Sequence, residues 1–155
     1  QSKLESPEVE MFAEFTPKLA ACTYGSAEYE GFRKAMGEAL AHHYANNSHH
    51  PEHYQWQVCI ICFAEFPPSH KDNCAKCGNG TFTTEPSIAG MSLLDVLEML
   101  CDWKASSMRM ADGDIYKGLE LNQQRFGYSD ELKGLMKNTV LWLDTQPVFH
   151  KAQES

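Results

Sequence analysis

The stretch "CIICFAEFPPSHKDNCAKCGNG", residues 59–80, interrupts a chain whose apolar pattern is otherwise helical. It sets Cys59, Cys62, Cys74 and Cys77 as one CxxC pair, eleven intervening residues and a second CxxC pair. A tight CxxC turn brings two thiolates to one ion. Two such turns close a tetrahedral four-sulfur site, the geometry that structural zinc prefers. Gly78 follows the second pair, where a knuckle calls for positive φ. His70 could replace a cysteine, but four thiolates make it unnecessary. Pro67, Pro68, Pro86 and three glycines also fall in residues 55–90. That region therefore reads as an irregular zinc-ribbon insertion with one small hairpin at most.

Two roles for the insertion stay open. Zinc could simply staple a segment too small for its own core, or the ribbon could contact nucleic acid or a protein partner. Lys71 and Lys76 are its only Lys or Arg residues, and Glu65, Asp72 and Glu85 offset them. The basic footprint of nucleic-acid binding is missing, which favours the staple.

Outside the insertion the chain reads as helices. Residues 4–20 carry Leu4, Val9, Met11, Phe12, Phe15 and Leu19, with Pro7 in the first turn and Pro17 disturbing the end. Ser26 caps a helix through "AEYEGFRKAMGEALAHHYAN", with Tyr29, Phe32, Met36, Leu40 and Tyr44 three or four residues apart. Ser92 caps "LLDVLEMLCDWKASSMRM". A further helix covers about 115–125 after the turn "ADGD", and a last one runs from Ser129 to about Leu143. The expected fold class is all-α, a single helical domain over 1–155 with the insertion at 55–90.

The 155 residues suit one domain with a full core. The formal net charge of −8 argues against broad binding to a phosphate backbone, while a small anion remains possible beside a metal or a local lysine. There is no membrane-spanning apolar run and no visible signal peptide. The first residue is Gln1, which points to processing or truncation upstream. Paired cysteines read as metal ligands in a reducing, cytoplasmic compartment.

"HHYANNSHHPEHY", residues 42–54, holds five of the seven histidines. Pro51 predicts a turn at "HHPEH" that folds His49, His50 and His53 back toward His42 and His43. On the helix after the insertion, Asp95, Glu98 and Asp102 share one face among Leu94, Val96, Leu97, Met99, Leu100 and Trp103. A carboxylate on so apolar a helix is costly to bury unless paired or bound to metal, and Asp102 in "MLCDW" is the foremost case. Two or three imidazoles plus an aspartate suit a metal site with an open position for water. The alternative is that the histidines cap helices or bond carbonyls, and that Asp102 pairs with Lys104 or Arg109.

"SKLESPE" at 2–8, "YGSAEY" at 24–29, the histidine segment, "MSLLDVLEMLCDWKASSMR" at 91–109, "DGD" at 112–114, Asn122 and "RF" at 125–126 resemble a small family of bacterial and phage proteins. That family is similar, more distantly, to the HD-domain metal-dependent phosphohydrolases. The resemblance covers nearly the whole chain except the cysteine insertion. It implies an HD-domain-like helical bundle that cleaves phosphate esters with metal-activated water. It also implies metal ligation by His43, by one or both of His49 and His50, and by Asp102. Lys3 would meet a phosphate. Glu52, His53, Glu98 and Asp95 would support the ligands or move protons. Relatives carry a His-Asp pair just before the Ser-Lys matching Ser2-Lys3, and this sequence starts after that point. The insertion, beside the site mouth, would act as a lid or specificity element.

Two functions follow as expectations. One is a phosphohydrolase acting on a nucleotide or another small phosphate ester. It would carry structural zinc on four cysteines and a second divalent ion (zinc, manganese, magnesium, iron or nickel) at the histidines, with Arg109 also balancing substrate charge. The other is a non-catalytic, zinc-stabilised module that binds a protein or nucleic-acid partner.

Overall fold

A computed structural model describes residues 7–110 and 112–146. Lys3 lies outside them. Helix α1 spans Pro7–Ala21 and α2 spans Ala27–Asn46. Three strands follow, β1 at Gln55–Cys59, β2 at Glu65–Phe66 and β3 at Phe82–Pro86. Helices α3 (Leu93–Arg109), α4 (Ile115–Phe126) and α5 (Asp130–Asp144) complete the described chain.

The expected all-α class is corrected. The insertion forms a three-stranded antiparallel sheet in the order β2-β1-β3 and makes the fold mixed. The register pairs Gln55 with Pro86 and Cys59 with Phe82, so the insertion begins and ends at the same place. The Ser87 amide donates to the Tyr54 carbonyl at 3.0 Å and closes its base. The physical reason is local. The paired cysteines hold the strand ends together, and Phe66, His70 and Phe82 form a small apolar cluster behind them. His70 stacks on Phe66 with ring centroids 4.2 Å apart instead of joining the cysteines. The strands are too short and too polar to announce themselves by alternation. The HD-domain-like bundle expected for the whole chain falls with the all-α class.

The helices start where their caps predict. The Ser26 hydroxyl accepts from the Tyr29 amide, and Ser129 does the same for Leu132. Ser92 and Asp95 form a reciprocal capping box at the start of α3. Pro17 does not end α1, which continues to Ala21 around it. Helix α1 lies along α2 with Phe15 edge-on to Phe32 at 6.0 Å and Phe12 against His43 at 4.9 Å. Helices α3, α4 and α5 share a core of Met99, Leu100, Ile115, Leu119, Phe126, Tyr128, Met136 and Val140. Each large apolar side chain there contributes roughly 1.5–3 kcal/mol by leaving water.

Helix α2 is not straight. Gly37 sits at φ 37° and ψ −109° inside it, a conformation that penalises any side chain. Residues eleven apart on a straight helix are separated by about 16 Å. Across this kink the Arg33 guanidinium reaches the Tyr44 hydroxyl at 3.1 Å. The bend turns the two halves of α2 around one cleft.

Candidate functional site

The four cysteine sulfurs lie within 4.8 Å of one another and could hold a metal ion. Cys59 Sγ and Cys77 Sγ are 3.5 Å apart, and Cys62 Sγ and Cys74 Sγ are 3.4 Å apart. A zinc–sulfur bond of about 2.3 Å sets tetrahedral sulfurs about 3.8 Å apart, so the cluster fits. Burial alone would raise the Cys59 thiol, but the Cys62 and Ile61 amides point at it and bring it down to about 6. A thiolate is the form that binds metal. Gly78 takes the expected left-handed turn at φ 76°, and Phe63 occupies the matching place after the first pair at φ 56°.

The histidine segment turns at Pro51 as the sequence predicts. The Asn47 amide donates to the His43 carbonyl at 2.7 Å as α2 ends, and a short 3-10 turn follows at Pro51–His53. Nitrogen atoms of His43, His49 and His50 come within 4.8 Å of one another, and all three rings are half-buried. His43 Nε2 and His50 Nε2 are 2.9 Å apart. Metal–nitrogen bonds of about 2.0–2.1 Å place neighbouring donors about 2.9–3.4 Å apart. Burial, then His49 and His43 beside it, push His50 down to about 3, so its ring is neutral and can offer a lone pair.

The carboxylates divide in role. Asp102 lines two cavities alongside His50 and Tyr44, and makes no hydrogen bond or ion pair among the described residues. It stands outside the group of three imidazoles. Lys104 is not its partner, because Lys104 pairs with Asp144 at 2.5 Å. Glu98 Oε1 is 3.3 Å from His49 Nδ1. Asp95 accepts from Ser48 at 2.5 Å and from Tyr54 at 3.3 Å, and so ties the histidine turn and the base of the ribbon to α3. Its carboxyl is held down to about 2, first by the Ser48 hydroxyl and then by Ser92. Glu52 pairs with Arg125 at 2.7 Å. His53 is exposed and faces the Tyr44 carbonyl at 3.1 Å, away from the other rings.

An open cleft of about 950 Å³, counting the space at its mouth, adjoins the histidines. Of its lining residues, Arg33 escaped the sequence reading, while Tyr24, Tyr29, Asn122 and Arg125 entered it only within the helix pattern or the family resemblance and without a role at a site. Arg109, expected to face a substrate, lines a second cavity that His43, His50 and Asp102 also line. Arg33 and Arg125 could have been noticed as cations on polar helix faces, but no spacing rule links α2 to α4.

A model of a family of unknown function, DUF5662, matches residues 1–146. The chain belongs to this family. DUF5662 carries no assigned activity, and its match lends no support to a kinship with HD-domain phosphohydrolases. No curated protein and no solved structure matches the chain. Among the described residues of this DUF5662 protein, no helix is long and apolar enough to cross a membrane.

Proposed function

We propose that this protein is a metal-dependent phosphohydrolase acting on a nucleotide or another small phosphate ester. The convergence of His43, His49 and His50 at the edge of a cleft that also holds Asp102, Arg33 and Arg125 carries this reading. The three imidazoles would hold a divalent ion, with Asp102 as the carboxylate on the cleft side. Nitrogen-rich donors suit zinc, iron or nickel better than magnesium. When bound, such an ion lowers the pKa of water and polarises a phosphoryl oxygen. Arg33 and Arg125 would balance phosphate charge, with Lys3 as a further expected contact. Glu98 would orient His49, as carboxylates commonly do for ligating imidazoles. Zinc would occupy the four cysteines, and the thiol-rich chain would work in a reducing, cytoplasmic compartment.

The test is phosphate release from nucleoside monophosphates, sugar phosphates and p-nitrophenyl phosphate with zinc, manganese, iron or nickel supplied. Turnover is expected, and it should disappear in His50→Ala and Asp102→Ala. No release from any of these by metal-loaded protein contradicts the proposal.

The ribbon tip supports a second reading, a module that binds a protein partner. Ile61 is 63% exposed and Phe63 is 75% exposed, and Phe63 holds a left-handed backbone that a glycine would adopt without strain.

A further inference from the structure

Asn122 sits on α4 in the wall of the cleft and is 6% exposed. Its Oδ1 accepts from the Tyr24 hydroxyl at 3.2 Å. That bond orients the amide. Its Nδ2 group makes no hydrogen bond among the described residues and is not sealed from solvent, so an incoming group can reach it. An amide whose oxygen is fixed and whose N–H donors stay open in a cleft wall can fix the orientation of a ligand. The surroundings are aromatic. Tyr24 and Tyr29 stand 5.1 Å apart at 58°, and Trp103 and Phe126 line the same space. His50 and Asp102 line it too.

We infer that this end of the cleft is a subsite for a planar ring bearing a carbonyl, as in the keto nucleobases, with Asn122 Nδ2 donating to that carbonyl. The inference rests on the phosphohydrolase reading for what lies at the other end, and it narrows the substrate to nucleotides with a keto base. The carbonyl meant is the one at position 4 of a pyrimidine: there uracil presents a carbonyl and cytosine an amino group, whereas both carry the carbonyl at position 2, which this subsite would leave unread. Two donors facing each other leave both unpaired, which disfavours cytidine 5′-monophosphate on the order of tenfold or more.

The experiment is calorimetric titration of the full chain with uridine, uridine 5′-monophosphate, cytidine 5′-monophosphate and ribose 5-phosphate, alongside phosphate release from the same esters. Uridine 5′-monophosphate should bind at least tenfold more tightly than the cytidine ester. Uridine without phosphate should bind measurably. Asn122→Asp, which replaces the donor by an acceptor, should lose the preference for uracil. Tyr24→Phe, a change at the cleft mouth, should narrow it by freeing the amide to turn. Equal affinity for all three esters, or no binding of uridine, overturns the subsite even if ribose 5-phosphate is hydrolysed. Uridine binding that depends on Asn122, with no phosphate released from any ester, keeps the subsite and removes the hydrolase.

Discussion

Nε2 of His43 and Nε2 of His50 lie 2.9 Å apart although seven residues and a reversal of the backbone separate them. His43 lies in the last turn of α2 against Phe12 of α1, while His50 reaches back from the turn that Pro51 closes. The contact therefore depends on two elements being held in place. Asn47 anchors the end of α2, and the Ser48–Asp95 bond fixes the turn to α3.

That anchoring has a pH signature. The Asp95 carboxyl is held down to about 2, below the ordinary 3.8, by Ser48 first and Ser92 next. A depressed carboxyl contributes stability that is complete above the unfolded value and is lost as pH falls toward the folded one. The anchor should therefore weaken between about pH 4 and 2. Thermal unfolding of the native chain should fall more steeply with acid across this window than that of Asp95→Asn. Parallel profiles would show that Asp95 is not the anchor.

Arg125 and Glu52 form a pair in which the Glu52 side chain is only 12% exposed. Arg125→Ala leaves that carboxylate without its cation and should destabilise the fold by about 1–3 kcal/mol in denaturant unfolding. Adding Glu52→Gln should recover part of the loss, because the stranded charge is then gone. Additive losses in the double variant would mean the pair is not coupled.

The ribbon should unfold separately from the helices. Its ends meet at Tyr54 and Ser87, so disorder inside it need not pull on α2 or α3. Cys74→Ser should remove one metal equivalent and expose the amides of residues 55–59 and 82–85 to rapid hydrogen exchange. Helical circular dichroism should change little. Collapse of the helical signal would make the ribbon a part of the main core.

Phe63 offers a test of the ribbon tip. Its φ of 56° is costly for a side chain, so Phe63→Gly should stabilise the ribbon by about 1 kcal/mol. A loss of stability would mean the exposed ring packs in a way that its 75% exposure does not suggest.

Much of the architecture was legible one residue at a time. Ser26, Ser92 and Ser129 each precede an apolar periodic run, and each caps a helix. The cysteine spacing announced the four-sulfur cluster, and Pro51 announced the histidine turn. The sheet was hidden because β1 and β3 gain their order from pairing and from the cysteines rather than from alternating apolar residues. The cleft was hidden for another reason. Arg33 meets Tyr44 only because α2 bends at Gly37, and Asn122 meets Tyr24 across 98 positions. Local spacing carries no trace of either contact. Glu52 and His53 sit beside the site in sequence, yet Glu52 serves Arg125 and His53 turns to the Tyr44 carbonyl.

The central claim is that the histidines bind metal independently of the cysteines, and elemental analysis of purified protein tests it most directly. Native chain should carry more than one metal equivalent. The Cys59→Ser/Cys77→Ser variant should keep the second ion, and His50→Ala should lose it while retaining the cysteine-bound one. A single equivalent that disappears with the cysteines and is indifferent to His50 would contradict the account. His43, His49 and His50 would then be a hydrogen-bonded imidazole cluster with no metal to share.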